Sequence, residues 1–365
     1  MPSPKSGCVK RKDTQGRETP GDLKFVHLTT RRIQLPGVRR AFSLCAGLVV
    51  ALAAVSIMGC GQSDSAHAKS DRATDQPVLL RIGYQKSNGL LSLLRVRKVL
   101  ENRFGPRVSV VWQEFPAGPQ LLEGLNVGSI DFGCTGEVPP IFAQAADAPL
   151  VYVIAEGAGP LTEAILVRRD SPYKSLSELK GKRIALNKGS NVHYLLLRAL
   201  ENAGLSFNEI EPVYLPPADA RAAFESGAVD AWAVWDPYYS DASESGDARM
   251  LVDGSGLVEN RGYYLATRQF AAEQSDTLRA VVAELRSMSE WAAAHRDEFA
   301  DFLAKELGMP PRVLRVSVNR RKFGVESMGP ELIAYQQKIA DALLRQGLIP
   351  HEIRVEEAVW IAKGK

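Results

Sequence analysis

Two stretches of this chain repeat each other, and the repetition limits the folds open to it. "RIGYQKSNGLLSLL" at 81–94 is echoed by "RIALNKGSNVHYLLL" at 183–197. Each runs through an apolar strand-like segment, a polar residue, a lysine, Ser-Asn and then a helix-like segment. "LLEGLNVGSIDFGCTGEVPP" at 121–140 is echoed by "ARAAFESGAVDAWAVWDPYY" at 220–239, again about 100 residues later. Strand–helix units resemble one another, so one echo carries little. Two echoes at nearly the same offset point to two lobes of the same topology. Around them, strand-like runs at 78–83, 108–112 and 130–133 alternate with helix-like runs, one of them opening at Pro139, a favoured first-turn position. That alternation predicts an α/β fold with mainly parallel strands.

From residue 268 the pattern turns helical. "SDTLRAVVAELRSMSEWAAAH" offers Ser275 and Asp276 as N-caps, and "GPELIAYQQKIADALLRQGL" has Pro near its start and Gly near its end. This tail has no third copy of the sheet motif and is expected to pack back onto the first lobe. The expected division is lobe 1 over 78–167, lobe 2 over 168–263 and a return to lobe 1 over 264–365. The hinge is placed near Leu166–Arg168 and Tyr263–Thr267.

The chain carries 45 Lys+Arg and 42 Asp+Glu, but ten of the former and only three of the latter fall within residues 1–60. The remainder is mildly acidic, so composition offers no nucleic-acid partner. The basic start has another reading. Arg39-Arg40 precede an apolar run at 41–58 that ends in Ile57-Met58-Gly59-Cys60, the architecture of an export signal. It resembles a bacterial lipobox, with Cys60 lipidated and exposed as the mature N-terminus. Cleavage without lipid and an uncleaved membrane anchor stay open as alternatives. Residues 61–77 are small and polar and read as a tether. Of four cysteines only Cys134 lies in the body, so an internal disulfide in the mature protein is excluded. No CxxC, HExxH or His/Cys cluster occurs, so neither metal nor cofactor is expected.

The loops after the strands carry the functional question. In "KGSNVHYLLLRAL", Val192, Leu195, Leu196, Ala199 and Leu200 recur at helical spacing, so a helix starts near Ser190 or Asn191, with Gly189 permitting a tight turn. A helix start exposes unpaired N–H groups and partial positive charge, which suits an anion. Gly-Ser-Asn also makes an ordinary cap. Gln85 to Asn88, Thr135-Gly136-Glu137 and Trp235-Asp236 lie at other strand ends, the edge where open α/β sheets bind ligands. No GxxxxGK[ST] or GxGxxG occurs there, so nucleotide phosphate is not indicated. Trp232 and Trp235 lie three apart on one strand and point to opposite faces, one to the core and Trp235 to either a ligand or the other lobe. Asp236 is either an N-cap or an acceptor for an amine or hydroxyl. Glu137 either meets the non-anionic end of a ligand or holds Lys86 or Lys188. His193 is either a donor to an anion or a satisfied surface histidine. Cys134 reads as a small buried residue closing a strand, with a nucleophile as the alternative.

The segments "RIGYQK", "EFPAGPQLLEGLNVGSIDFG", "TGEVPPIFAQAADAPLVYV", "KGSNVHYLLLRALENAGL" and "PADARAAFESGAVDAWAVWDPYY" together resemble the aliphatic sulfonate-binding proteins of bacterial ABC importers, within the nitrate/sulfonate/taurine periplasmic-binding family. The resemblance runs from about Arg81 to Trp360. It implies a type II periplasmic-binding fold, two α/β lobes closing over a sulfonate, in a monomer that serves an ABC permease and its ATPase from the periplasm or the cell surface. It places ligand contacts at Gln85, Thr135, Gly136, Glu137, Gly189, Ser190, Asn191, His193, Trp235 and Asp236. The family carries Asp where Glu137 stands and a Ser-rich run where Asn191-Val192 stand. The sulfonate is expected to rest on helix N-termini and hydroxyls rather than on a full counter-charge, and the protein to be a binder without catalytic residues. Taurine, nitrate or a thiamine-precursor pyrimidine are alternative ligands. A desulfinase-like enzyme using Cys134 is a further alternative.

Overall fold

Two sheets organise residues 77–361, the part of the chain that the computed structural model describes. The leader at 1–60, Cys60 and residues 61–76 lie outside the described residues.

The chain begins in lobe 1 with β1 (Val78–Tyr84), α1 (Gly89–Val96), α2 (Val99–Phe104), β2 (Val108–Glu114), α3 (Gly118–Asn126), β3 (Phe132–Gly136), α4 (Pro139–Ala145) and β4 (Leu150–Glu156). It crosses to lobe 2 for β5 (Glu163–Arg168), β6 (Arg183–Leu186), α5 (Asn191–Asn202), β7 (Glu211–Tyr214), α6 (Pro217–Glu225), β8 (Ala231–Trp235), α7 (Tyr238–Glu244) and β9 (Ala248–Asp253). It then returns to lobe 1 for β10 (Gly262–Thr267), α8 (Arg268–Glu273), α9 (Ser275–Ala294), α10 (Arg296–Leu307), α11 (Pro311–Arg320), β11 (Val325–Ser327) and α12 (Pro330–Arg345). The first sheet has the order β11-β4-β10-β3-β1-β2 and the second β7-β6-β8-β5-β9.

The two sequence echoes fall on equivalent strands. β1 pairs with β2 and β3 in parallel, and β6 pairs with β7 and β8 in parallel. One joint recurs in both lobes. Asp131 accepts from the Arg81 backbone N–H at 2.9 Å and returns its own N–H to Arg81 O at 2.8 Å. Asp230 does the same with Arg183, at 2.9 and 2.8 Å. The aspartate in "SIDF" and "AVDA" therefore fixes where one strand meets its neighbour.

In strand direction the expectation of mainly parallel strands holds, since β1–β4 run alike and β6–β9 run alike, but both sheets are mixed. β10 runs antiparallel between β3 and β4, and β5 runs antiparallel between β8 and β9. A strand of a βα unit ends at the cleft, whereas a strand entering straight from a crossing starts there, so it must run the other way. The same pairing moves the lobe boundary. β5 belongs to the second sheet, so the crossings lie at 157–162 and 254–261 rather than at Leu166–Arg168 and Tyr263–Thr267, which are inside strands. The crossings lie side by side, with Gly159 N on Glu259 O at 2.8 Å and Gly254 N on Pro160 O at 3.0 Å.

Alternating apolar positions bury both faces of each sheet. Leu80, Ile82 and Phe132 pack under α1, α9, α10 and α11 through Leu91, Leu94, Leu285, Phe299 and Leu314. Phe224, Trp232 and Tyr239 fill the outer face of the second sheet. A third cluster runs continuously from Leu121 and Ile339 on lobe 1 to Leu195 and Ile165 on lobe 2. The helical tail thus covers lobe 1, as its lack of a third sheet motif implied. Among the described residues no helix is long and apolar enough to cross a membrane.

Candidate ligand-binding site

The carboxyl ends of β1, β3 and β8 and the start of α5 meet across the lobes and enclose a cavity of about 170 Å³. Seven of the ten residues expected at the site line it: Gln85, Thr135, Gly136, Ser190, Asn191, Trp235 and Asp236.

Their local bonds define what each can offer. Gln85 Nε2 is held by Cys134 O at 3.1 Å, and Thr135 Oγ1 donates to Gly136 O at 2.9 Å. Ser190 immediately precedes α5, as its sequence position suggested, but its hydroxyl donates back to Asn187 O at 2.7 Å instead of capping the helix. The first-turn N–H groups of α5 therefore start at the cavity wall without a side-chain cap. Asn191 bridges the lobes. Its Oδ1 accepts from Val138 N at 3.2 Å and its Nδ2 donates to Asn260 Oδ1 at 2.5 Å. Gly136 must lack a side chain there, since a Cβ would lie 2.1 Å from Asn191 Oδ1. Trp235 presents a half-buried ring edge-on to Tyr238, while Trp232 is buried against Phe224, so the tryptophans divide as their spacing requires.

Three expected residues stand back from the cavity. His193 is fully buried against Phe207 and Tyr214, and its Nδ1 accepts from Gly189 N at 3.3 Å. Burial, with Lys188 nearby, lowers its pKa to about 4, so it is a neutral core histidine that holds the loop and lies outside the cavity lining. Gly189 supplies the left-handed turn, at φ 72°. Glu137 is fully buried, accepting from Arg261 N at 2.9 Å and Tyr335 OH at 3.3 Å, and burial raises its pKa to about 7. It braces the second crossing; among the described residues no ion pair joins it to Lys86 or Lys188. Asp236 touches the cavity, yet its carboxylate is occupied. Oδ1 caps α7 through Ser240 N at 2.9 Å, and both oxygens face Arg320 Nη1 at 3.3 Å. Cys134 is buried, receives Asn88 Nδ2 at 2.8 Å, and burial pushes its thiol pKa well up, which disfavours the thiolate a nucleophile needs.

The sequence reading missed the charges of the cleft. Arg321 and Lys322 line the cavity from the loop after α11, Glu156 from the end of β4 and Arg261 from the second crossing. Arg261 is neutralised by Glu259 and by Glu326, the latter at 2.5 Å. Arg321 makes one side-chain hydrogen bond, to Ser87 O at 2.8 Å, and has no acid partner among the described residues. A guanidinium therefore lines the cavity alongside the helix start and hydroxyls that the sequence pointed to. The run Arg320-Arg321-Lys322 was the available signal, but basic residues after a helix read as a solvated surface.

Two α/β lobes joined by paired crossings, with a cavity between strand ends and helix starts, define a periplasmic-binding-protein architecture, the class that captures small ligands. Residues 113–299 match the family described as "NMT1/THI5 like". A protein of Escherichia coli (strain K12) named for aliphatic sulfonate binding is 45% identical over 289 residues, covering 79% of this chain and 90% of that protein. The crystal structure of the periplasmic aliphatic sulphonate binding protein SsuA from Escherichia coli superposes with a TM-score of 0.73, over 78% of this chain and 98% of that one. The alkanesulfonate-binding protein SsuA from Xanthomonas axonopodis pv. citri, bound to MOPS, is 44% identical with a TM-score of 0.74, over 78% and 99%. The chain belongs to the aliphatic sulfonate-binding protein family. These relatives are binding proteins, and the resemblance to a desulfinase does not extend to an enzyme here.

Proposed function

We propose that this protein captures an organosulfonate outside the cytoplasmic membrane and delivers it to an ABC permease driven by its ATPase. The observation that carries this reading is Arg321, a guanidinium with no acid partner among the described residues, which lines the same cavity as the uncapped start of α5. A guanidinium offers several donors in a rigid fork, and a helix start adds N–H groups and partial positive charge, so a three-oxygen anion is well matched. Trp235, Leu90 and Phe323 supply apolar wall for a carbon tail. Closure of the lobes about 157–162 and 254–261 would be the signal read by the permease. The Ile57-Met58-Gly59-Cys60 sequence supports tethering through a lipid on Cys60, and Cys60→Ala should move the protein from the membrane to the soluble fraction. Isothermal titration with propanesulfonate, sulfate and nitrate tests the ligand reading. Propanesulfonate should bind far more tightly than the inorganic anions, and Arg321→Ala should weaken it about 100-fold, as expected when a charged hydrogen-bond partner is removed. Equal binding of sulfate and propanesulfonate would overturn it.

A further inference from the structure

Two buried acids lie one residue behind the cavity wall, one from each lobe. Glu137 follows the lining residue Gly136 at the end of β3. Glu163 follows the lining residue Thr162 at the start of β5, where the first crossing enters lobe 2. Neither is exposed to solvent. β5 alternates faces: Ala164 and Leu166 join the outer cluster of lobe 2, so Glu163 shares with Ile165 and Val167 the face turned to the cluster that runs between the lobes. Both Glu163 oxygens lack a hydrogen-bond partner among the described residues, and so do Tyr263 OH and Gln336 Oε1. Gln336 Nε2 donates to Glu137 O at 2.5 Å and to Tyr152 OH at 3.2 Å. The ionisable group that faces Glu163 is Glu137. Around Glu137 stand Tyr335 on α12, Tyr263 on β10, Tyr194 on α5, and Glu259 and Arg261 on the second crossing. Arg261 is already neutralised by Glu259 and Glu326, and Arg320 on α11 pairs with Asp236. Asp253 on β9 lies opposite Ala164 and so on the other face of the sheet.

A carboxyl in such a seam keeps its proton, because ionising it would bury a charge with no counter-charge. Burial accordingly raises Glu137 to about 7 and Glu163 well above the usual carboxylate range. The pair also sits beside both crossings, and its two members belong to different lobes, so opening of the lobes is what brings water to it. An anion in the cavity acts in the same direction as closure, since one negative charge disfavours a second beside it. Resting on the sulfonate reading above, we propose that Glu163, together with Glu137, is a proton site coupled to ligand capture: the lobes close on the sulfonate with the pair protonated, and the open, ligand-free form releases a proton from it to water. Sulfonate binding then takes up a proton, and affinity falls as pH rises. The closed form holds the proton more tightly, so its advantage is complete below about 4.5 and is lost as pH rises through 7 for Glu137 and higher for Glu163.

The test counts protons directly and needs no variant to begin. The full chain, freed of ligand and held at about pH 8 in a pH-stat, is titrated with sodium propanesulfonate, whose sulfonate stays ionised throughout. About half a proton or more should be taken up per ligand bound, and affinity, read by isothermal titration in Tris, should fall about threefold or more between about pH 7 and about pH 8.5. Glu163→Gln keeps the shape of the side chain and cannot ionise. In it the uptake should fall to about a fifth of a proton or less, and affinity should stay nearly level across the same pH range. At the upper end of that range the variant should bind propanesulfonate more tightly than the parent does, whereas damage to the fold would only weaken binding. No proton uptake by the unaltered protein, or uptake that persists unchanged in Glu163→Gln, overturns this assignment while leaving the sulfonate reading standing. Absence of propanesulfonate binding at every pH overturns the sulfonate reading and this one with it.

Discussion

Two buried residues give this protein opposing responses to pH. Glu137 has its pKa raised to about 7 by burial. An acid whose folded pKa lies above its unfolded value favours the folded state fully below about 4.5 and loses that contribution as pH rises through 7. His193 is depressed to about 4 by burial. Its contribution is present above about 6.5 and is lost as pH falls through 4. Each spans roughly 3 kcal/mol by linkage, so the two largely offset between pH 4.5 and 6.5. Glu163 breaks the balance. It is fully buried at the start of β5, neither carboxylate oxygen has a hydrogen-bond partner among the described residues, and burial next to Glu137 holds its pKa well above the usual range. Its sign is that of Glu137. Glu163→Gln is therefore expected to raise the urea midpoint at pH 8 by about 2 kcal/mol equivalent, and much less at pH 5. An equal shift at both pH values would contradict the assignment. His193→Gln should make the protein more resistant to acid than the parent below pH 6, measured the same way.

At the scale of elements, glycines decide how closely helices approach strands. A Cβ on Gly83 would lie 2.4 Å from Ile130 Cδ1, and one on Gly133 would lie 2.8 Å from Leu121 on α3. Gly83→Ala should cost roughly 1–3 kcal/mol in denaturant unfolding through overpacking. Gly136→Ala is a different experiment, because its Cβ meets Asn191 Oδ1 across the lobes. It should weaken propanesulfonate binding about tenfold while lowering the melting temperature less than Gly83→Ala does. The reverse ranking would show that the contact of β3 with α5 serves the fold rather than the closed cleft.

At the scale of the whole molecule, closure has a clasp that uses no ligand. Arg320 ends α11 on the lobe 1 side. Its Nη1 reaches Ser240 Oγ at 3.0 Å and Asp236 at 3.3 Å, and its guanidinium lies 3.9 Å over the Tyr239 ring in lobe 2. Opposite it, Asn260 ties the crossings together, with Nδ2 on Thr162 Oγ1 at 2.9 Å and Oδ1 receiving Asn191. A ligand that binds the closed form loses apparent affinity in proportion to the closed fraction. Arg320→Ala should therefore enlarge the ligand-free radius of gyration in small-angle scattering and weaken sulfonate binding about tenfold. No change in either would mean that the contact follows closure without favouring it.

What the sequence determined by itself is local. Period-two and period-3.6 apolar patterns report which residues face a core, so the repeated βα units, the helical tail and the split of Trp232 from Trp235 were all legible. So were the strand ends that line the cavity, because a loop between a strand and a helix can only lie at that edge. Tertiary structure decided which side chains within those loops are free. His193 in the first turn of α5 and Glu137 after β3 are close in sequence to lining residues but turn inward, where Phe207, Tyr214 and Tyr335 receive them. Asp236 is occupied by a helix start and by an arginine 84 residues away. The cleft charges Arg321 and Glu156 come from segments far apart in the chain, and whether a charge is paired depends on distances that no sequence spacing encodes. The mixed sheets and the true crossings have the same origin, since strand direction is set by which edge the chain enters.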